Sequence, residues 1–493
     1  ENRQPEPTNR GYAIDVAIDS LEGGGQSIIF AETRRRAVSL ATKASEITQR
    51  FMSEQDRQNV TKLAEEIMNT GEQTESSKNL SRIVVRGAAF HHAGLLLGHR
   101  RIIEDGFKNG LIKTLVSTPT LAAGVNLPAR RVVIASMMRY DSQLGGQTPI
   151  SVLEYKQMCG RAGRPKYDDI GETVLIPPSS INIEQIIDHY INGTPEPIQS
   201  QLMNEGALRT HVLATVVSMP GVLESEIYDL FSKTLSASQN PWDYVKNKLE
   251  NATEYLLEEE LIEKRGNRLL ASEFGKKVST LYIDPATGVL FRRSIRYAEK
   301  RLTYHAGFLQ LIVSCPDFIP KFDLRIKDHS TAIEFMEKHQ EEFFMEIPNT
   351  DIIEFDEEFI RGFRSILILD DWVNEWGEED LLNRHGAEPG DLHRTVETTE
   401  WLLYSMGEIA KILGREDLLD DIEGLKNRTK YGVKSELLPL TRLEGIGRVR
   451  ARSLFGSGIK NMDLLRKTPH RELAKIPKIG SVTARNILKQ LTS

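Results

Sequence analysis

Glu154-Tyr-Lys-Gln-Met-Cys-Gly-Arg-Ala-Gly-Arg-Pro165 is the stretch around which this 493-residue chain is organised. Arg161 and Arg164 stand three apart among small residues, with Gln157 one turn earlier. On a helix that spacing puts both arginines on one face. Gly160, Ala162 and Gly163 leave room there for another surface to come close. Pro165 is expected to end the helix, because it has no N–H to donate and its ring clashes with the preceding turn. A planar guanidinium grips phosphate oxygens with two parallel bonds and never loses its charge, so paired forks on a crowded surface suit a polyphosphate. An ordinary basic helix end, favoured by the dipole, would account for the arginines. It would not account for Gln157, or for glycines inside a helix at about 1 kcal/mol each.

The length leaves room for three or four domains. Hydrophobic (40%) and charged (27%) fractions are those of a soluble globular protein. No apolar run approaches the ~20 residues that span a bilayer, and no signal or transit peptide is present, so a cytoplasmic protein without a membrane partner is expected. The opening Glu1-Asn2-Arg3-Gln4-Pro5 lacks a methionine and reads as a cut end. Cys159 and Cys315 cannot build a disulfide framework and have no ligand-like neighbours, which points to a reducing compartment and no metal site. The net charge of −7 argues against a uniformly basic nucleic-acid binder. Yet from Lys426 onward there are sixteen Lys and Arg against four acids (Glu436, Glu444, Asp463, Glu472), whereas Glu334 to Asp380 is strongly acidic. A local electrostatic footprint at the C-terminal end is expected.

Residues 1 to about 178 alternate strand-like and helical runs, as an α/β domain does. Ser27-Ile-Ile-Phe-Ala31 is a short apolar strand and Glu32-Thr-Arg-Arg-Arg36 opens a helix, the kind of edge where open α/β sheets take an anion or ligand. Ala89-Phe-His-His-Ala-Gly-Leu95 follows, then Ile112-Lys-Thr-Leu-Val-Ser-Thr-Pro-Thr-Leu-Ala-Ala-Gly-Val-Asn-Leu-Pro128, then the strand Arg131-Val-Val-Ile-Ala135. His91 and His92 tempt one toward a metal, but neighbours on a strand point to opposite faces. A backbone contact or plain packing is the preferred reading. Residues 137–152 read as a β-hairpin around Gly145-Gly146.

Gln157-Met-Cys-Gly-Arg-Ala-Gly-Arg164 resembles motif VI of superfamily 2 helicases, Q-x-x-G-R-x-G-R, with Cys159 where that family usually has a small residue. The segments before it resemble motifs IV, IVa and V, in the right order. The resemblance makes residues 1–200 a second RecA-like lobe. It implies that Arg161 and Arg164 are arginine fingers for the γ-phosphate of ATP, worth about 10³–10⁵ in rate. Gln157, Gly124 and Asn126 would lie near the nucleotide. Thr33, Arg34, His92 and Thr118 would lie on DNA, and the hairpin would be a strand-separation pin with Tyr140 against a base. Nowhere does the chain show G-x-x-x-x-G-K-[ST] or a D-E-x-H-like motif. In that family both belong to a first lobe, which would bind most of the ATP and Mg²⁺. The chain is therefore expected to begin after that lobe and to be inactive as an ATPase by itself.

From 201 to 283 short helices followed by Leu261-Ile-Glu-Lys-Arg-Gly-Asn-Arg-Leu-Leu270 look like a winged helix, for which scaffolding is preferred over DNA binding because no helix is notably basic. Residues 284–424 are mainly helical. The helix opening at Glu388-Pro-Gly-Asp391 carries Leu392, Val396, Thr399, Leu403 and Met406 at steps of four and three, a buried seam. Arg394 and Trp401 fall nearly opposite that seam at ~100° per residue, about 10 Å apart along the axis. Stacking on single-strand bases is preferred to packing of Trp401 beneath a neighbouring domain, and the ratchet helix of the family carries Arg and Trp at this spacing. In 425–493, Leu443-Glu-Gly-Ile-Gly-Arg-Val-Arg-Ala-Arg-Ser-Leu454 is echoed by Ile476-Pro-Lys-Ile-Gly-Ser-Val-Thr-Ala-Arg-Asn-Ile487, resembling tandem helix-hairpin-helix motifs. Gly445, Gly447 and Gly480 let backbone N–H groups approach a phosphate, with Arg448, Arg450, Arg452, Lys478 and Arg485 around them.

Taken together the chain resembles the archaeal Ski-like superfamily 2 DNA repair helicases, related to the animal polymerase-theta-type helicase. That implies ATP-driven 3′–5′ movement on single-stranded DNA, unwinding of forked or branched duplexes in fork repair, replication or repair proteins as partners, and a monomer. An RNA helicase of the same branch and a non-catalytic DNA-binding fragment are the alternatives.

Overall fold

The computed structural model describes residues 5–141, 146–164, 168–178, 181–299, 304–319, 321–322, 324–346 and 362–492. Gly145 of the expected turn, Pro165 and the acidic stretch 347–361 lie outside the described residues. Two compact units result: Glu1–Ile198 with Glu378–His393, and Gln199–Gly377 with Arg394–Ser493.

The first unit is built on β1 (Ser27–Phe30), β2 (Ala88–His91), β3 (Thr114–Ser117), β4 (Arg131–Ile134) and β7 (Glu172–Leu175), all parallel in the order β2-β3-β1-β4-β7. A parallel sheet carries helices on both faces, so its strands read as near-continuous apolar runs rather than alternating ones. Ser-Ile-Ile-Phe, Ala-Ala-Phe-His, Thr-Leu-Val-Ser and Arg-Val-Val-Ile are accordingly buried at every position, while the edge strand β7 is half-buried throughout. Helices between the strands start where short side chains cap them. Thr33 accepts from Arg36 N–H at 3.1 Å, and Ser53/Asp56, Thr74/Ser77 and Ser151/Glu154 form capping boxes. Arg131, at the buried start of β4, is held by Asp19 at 2.6 Å and Glu172 at 2.6 Å, so this interior charge is paired on both sides. β5 (Met138–Asp141) and β6 (Gly146–Pro149) pair antiparallel with Tyr140 opposite Gln147, and Arg139 meets Glu154 at 3.1 Å.

In the second unit the helices Glu205–Ser218, Glu224–Ser232, Leu235–Gln239 and Trp242–Glu258 surround a small antiparallel sheet of β8 (Val222–Leu223), β10 (Arg268–Ala271) and β9 (Ile262–Arg265). Residues 224–239 form two of these short helices with a break at Lys233 and Thr234, and β8 is a strand too short to show in the sequence. The turn at Gly266 has φ +60°, as a two-residue hairpin needs. Arg209 then grips Asp284 through both carboxylate oxygens (2.6 and 2.9 Å), and Asp284 caps Pro285–Arg296.

The helical region that follows is organised by Pro389–Ile412. Its predicted seam is buried: Leu392, Thr399, Leu403 and Met406 are fully enclosed and Val396 nearly so. Each large apolar member contributes about 1.5–3 kcal/mol by leaving water. Trp372, in Phe363–Val373, donates its indole N–H to Thr429 O at 2.7 Å. Gly432 ends Leu419–Tyr431 with φ +61°, and a Cβ there would lie 2.6 Å from two atoms of the Trp372 ring. A separate apolar cluster, including Leu437, Leu440, Leu454, Leu473 and Ile487, forms the core of the last 60-odd residues.

Because the Trp372 ring is pinned by its own hydrogen bond, Gly432→Ala meets both the clash and an unfavourable backbone. We expect it to lower stability by about 2–4 kcal/mol in chemical denaturation. An unchanged midpoint would contradict the packing described.

Candidate nucleic-acid interface

In an open α/β sheet ligands gather outside the carboxyl ends of the strands. Here β2, β3 and β1 are neighbours, so the residues that follow them share one edge. Thr118 follows β3; its N–H donates to His91 O (3.3 Å) and its hydroxyl bonds that of Thr120 (2.9 Å), leaving it 8% exposed. Thr33 follows β1 and spends its hydroxyl on capping the helix Arg34–Thr48.

Two residues expected on DNA are turned inward. His92 is 2% exposed, stacks on Phe90 (5.4 Å between centroids, 12° between planes), and has Nδ1 3.4 Å from Glu388. Burial, then the Arg34 charge, hold its pKa down at about 3, so the ring is neutral at pH 7. It packs, which leaves its side chain no surface for a DNA strand. Arg34 donates to Glu388 (3.1 Å) and to both oxygens of Asp391, the Nη2–Oδ1 bond being 3.0 Å. Its charge is balanced inside the first unit by carboxylates some 350 residues away, which no local pattern could announce. Backbone closes the same contact. Gly390 N–H donates to Gly94 O at 2.8 Å, and a Cβ on Gly390 would come within 2.5 Å of Ala93 O and Leu95 O. His91 pairs with Glu104 at 3.0 Å, and the described residues contain no metal-holding cluster.

At the opposite, amino-terminal edge lie the motif arginines. The helix Val152–Cys159 stops six residues before Pro165, so Arg161 and Arg164 are not on a helix face as expected. Gly160 caps it, Gly163 takes φ +93°, and the chain forms a parallel bridge with Ala129 through Ala129 N–Arg161 O (2.8 Å) and Gly163 N–Ala129 O (2.7 Å). The left-handed Gly163 and the bridge at Ala162 explain the small residues: they let two backbones meet. Arg161 donates to Ala122 O through Nε (3.2 Å) and Nη2, and to Asn126 Oδ1 through Nη1 (3.3 Å). Gln157 is exposed on the last turn of the same helix, and Gly124 ends the short helix Thr120–Gly124. Arg164 instead forks onto Asp168 (2.7 and 2.8 Å) and reaches Gln26 Oε1 at 3.1 Å. The partner Asp168 was visible as an i,i+4 acid; Gln26 was not. The chemistry available is therefore unequal. Arg161 has neutral partners that an anion can displace, whereas the Arg164 fork is filled by a carboxylate. Tyr140 stands in β5, and its side chain lies outside the described residues.

In the second unit Arg394 is exposed, and Trp401 is half-buried with its indole N–H donated to Leu281 O at 3.2 Å. The N–H edge of Trp401 is thus tied to protein, an element of the packing alternative.

The duplicated glycine turns are present. Gly445 (φ +78°) and its counterpart Lys478 (φ +68°) are both left-handed, and the helices Arg448–Gly456 and Gly480–Thr492 follow. Gly447 has φ −86° and nothing within 4 Å of where a Cβ would be, and Gly480 is equally open. Among the described residues neither backbone angle nor internal packing requires glycine at 447, and the position is open to an approach from outside. Three arginines expected on DNA are directed into protein. Arg448 lies over Trp372 (4.5 Å to the ring) and donates to Trp376 O (2.7 Å), and burial lowers it to about 10, still a cation at pH 7. Arg450 joins the two turns by donating to Gly445 O (2.7 Å) and Lys478 O (3.3 Å). Arg452 is paired with Glu375 and, at 3.0 Å, with Glu436. Counting basic residues overstated the footprint because these guanidiniums hold the fold together. Lys478 and Arg485 are exposed.

Replacing Arg452 by Ala is therefore expected to lower the melting temperature and leave the salt dependence of DNA binding unchanged. Lys478→Ala should spare stability and reduce the log–log salt slope by about 1. The reverse pattern would contradict these assignments.

Residues 12–166 match a model described as helicase conserved C-terminal domain, 306–432 one described as archaeal helicase, domain 4, and 437–493 a SAM-like helix-hairpin-helix tandem. Curated relatives named ATP-dependent DNA helicase Hel308 align along 97% of the chain. Those of Methanocella arvoryzae and Pyrococcus abyssi are 38% and 35% identical over 480 and 482 residues, and that of Caldivirga maquilingensis is 34% identical over 494. The chain spans 64–65% of the length of these relatives. Among the described residues no helix is long and apolar enough to cross a membrane. In its parallel-sheet lobe, the order of its matched domains and its identity to these relatives, the chain is similar to the archaeal Ski-like superfamily 2 helicases.

Proposed function

We propose that this chain acts within an ATP-dependent 3′–5′ DNA helicase that unwinds forked or branched DNA during replication-fork repair, as a cytoplasmic monomer. The observation that carries the DNA part is Gly447: an open glycine at a helix start, in a duplicated turn, at a position where nothing among the described residues needs one. Backbone N–H groups at such a start hold a phosphate without reading sequence. In this reading 1–200 is the second RecA-like lobe, 201–283 the winged helix, 284–424 the ratchet bundle and 425–493 the DNA-gripping module.

ATP supplies the driving phosphoryl transfer, and its phosphates and Mg²⁺ would be held mainly by a first lobe, since these 493 residues contain no phosphate-cradling loop. From this chain, Arg161 would meet the γ-phosphate, exchanging the Ala122 carbonyl and Asn126 for phosphate oxygens, with exposed Gln157 beside it. Arg164 positions that segment through Asp168. Thr118 and Thr33 mark the edge where the DNA backbone passes, the 137–152 hairpin separates the strands, and Arg394 with Trp401 carries the single strand.

Fluorescence anisotropy across a salt series tests the choice of nucleic acid. The chain should bind single-stranded and forked DNA more tightly than single-stranded RNA; equal or tighter RNA binding would overturn it. When the chain is joined to a first lobe, Arg161→Ala should cut kcat by about 10³ or more with DNA affinity unchanged. A loss of binding with kcat intact would contradict the role given to Arg161.

A further inference from the structure

Tyr282 has the largest exposure of any large hydrophobic side chain among the described residues, 85%. Its backbone is left-handed, φ +57°, a region that costs an L-residue about 1–2 kcal/mol. The residue stands just past the helix Glu273–Thr280 and the capping Leu281, and its N–H closes on Ser279 O at 3.2 Å. Helices ending this way normally place glycine at that position. A chain that needed only a helix terminator would have no use for a phenol in water on a strained backbone.

The surroundings fix the backbone that carries the ring. Leu281 and Ile283 on either side are buried, and Asp284 is locked by Arg209. The carbonyl of Leu281 accepts the indole N–H of Trp401, and Lys277 on the preceding helix meets Glu408 at 2.9 Å. Two contacts therefore tie the Glu273–Thr280 helix end to the helix carrying Arg394 and Trp401. Tyr282 is one residue from the atom that Trp401 grips. A held backbone beneath an exposed aromatic suits a stacking platform, because only the two side-chain torsions then have to be ordered on binding.

We propose that Tyr282 is a further stacking residue for a base of single-stranded DNA, adjoining Trp401. This rests on the single-strand reading given above for Arg394 and Trp401. The ring would take any base, since every base has a π-face, and its hydroxyl would stay in water.

The test uses the full chain and labelled oligo-dT. Tyr282→Ala and Tyr282→Gly should each weaken binding about five-fold or more, whereas Tyr282→Phe should bind as the parent does. Tyr282→Gly also relieves the backbone, so it should melt no lower than the parent while still losing affinity, an outcome that a purely structural role would not give. A strand carrying 5-iododeoxyuridine should photo-crosslink to the peptide containing residue 282. Unchanged affinity in both Ala and Gly variants, with no crosslink there, would overturn the assignment of Tyr282 alone. If the unaltered chain failed to bind oligo-dT, the single-strand reading would fall, and this inference with it.

Discussion

Arg34 holds two carboxylates at once, Glu388 and Asp391, and both belong to the turn that opens the helix Pro389–Ile412. Without the guanidinium, two acids three residues apart would face each other beside a neutral histidine. Burial already pushes the Glu388 carboxyl above its ordinary value. Glycines at 94 and 390 let the backbones meet directly, so the contact is a hydrogen bond reinforced by charge rather than a surface ion pair of little worth. Arg394 follows Asp391 by three residues, less than one helical turn. The sheet-bearing unit thus holds its own segment 388–391, the turn from which that helix starts.

The parallel sheet gives that unit two edges of different chemistry. Its carboxyl edge presents Thr118 and the capped helix start at Thr33; its amino edge presents Arg161, held by neutral acceptors, and Arg164, held by Asp168. Strands of four residues span only about 13 Å, so both edges are fixed by one small sheet whose four strands β1 to β4 are fully buried. Charge is distributed by the same economy. Arg131, Arg164 and Arg209 are each engaged within the fold, and so are Arg448 and Arg452, which leaves the basic C-terminal segment less basic on its surface than its composition implies.

Much of this was legible in the sequence. The apolar runs at 27–31 and 131–135 read as strands and are strands, parallel ones, because burial on both faces removes alternation. The four-three spacing from Leu392 to Met406 gave a buried seam, because helical geometry dictates it. The glycine turns at 445 and 478–480 repeat in the fold as they do in the letters. What could not be read was long-range pairing. Arg34 and His92 looked like ligand-facing residues until Glu388 and Asp391 closed on them, and Arg448 looked free until Trp372 lay beneath it. The helix at 152–159 ended early because Gly163 is needed for a bridge to Ala129, a partner that periodicity does not reveal. Tyr282 was missed altogether, since a left-handed backbone leaves no mark in composition.

The most direct test of the Arg34 grip is a double-mutant cycle of Arg34→Ala and Asp391→Ala, followed by chemical denaturation of the whole chain. If the two side chains act on each other as described, the single losses should fail to add by about 1–3 kcal/mol. Additive losses, with no coupling between positions 34 and 391, would contradict the account.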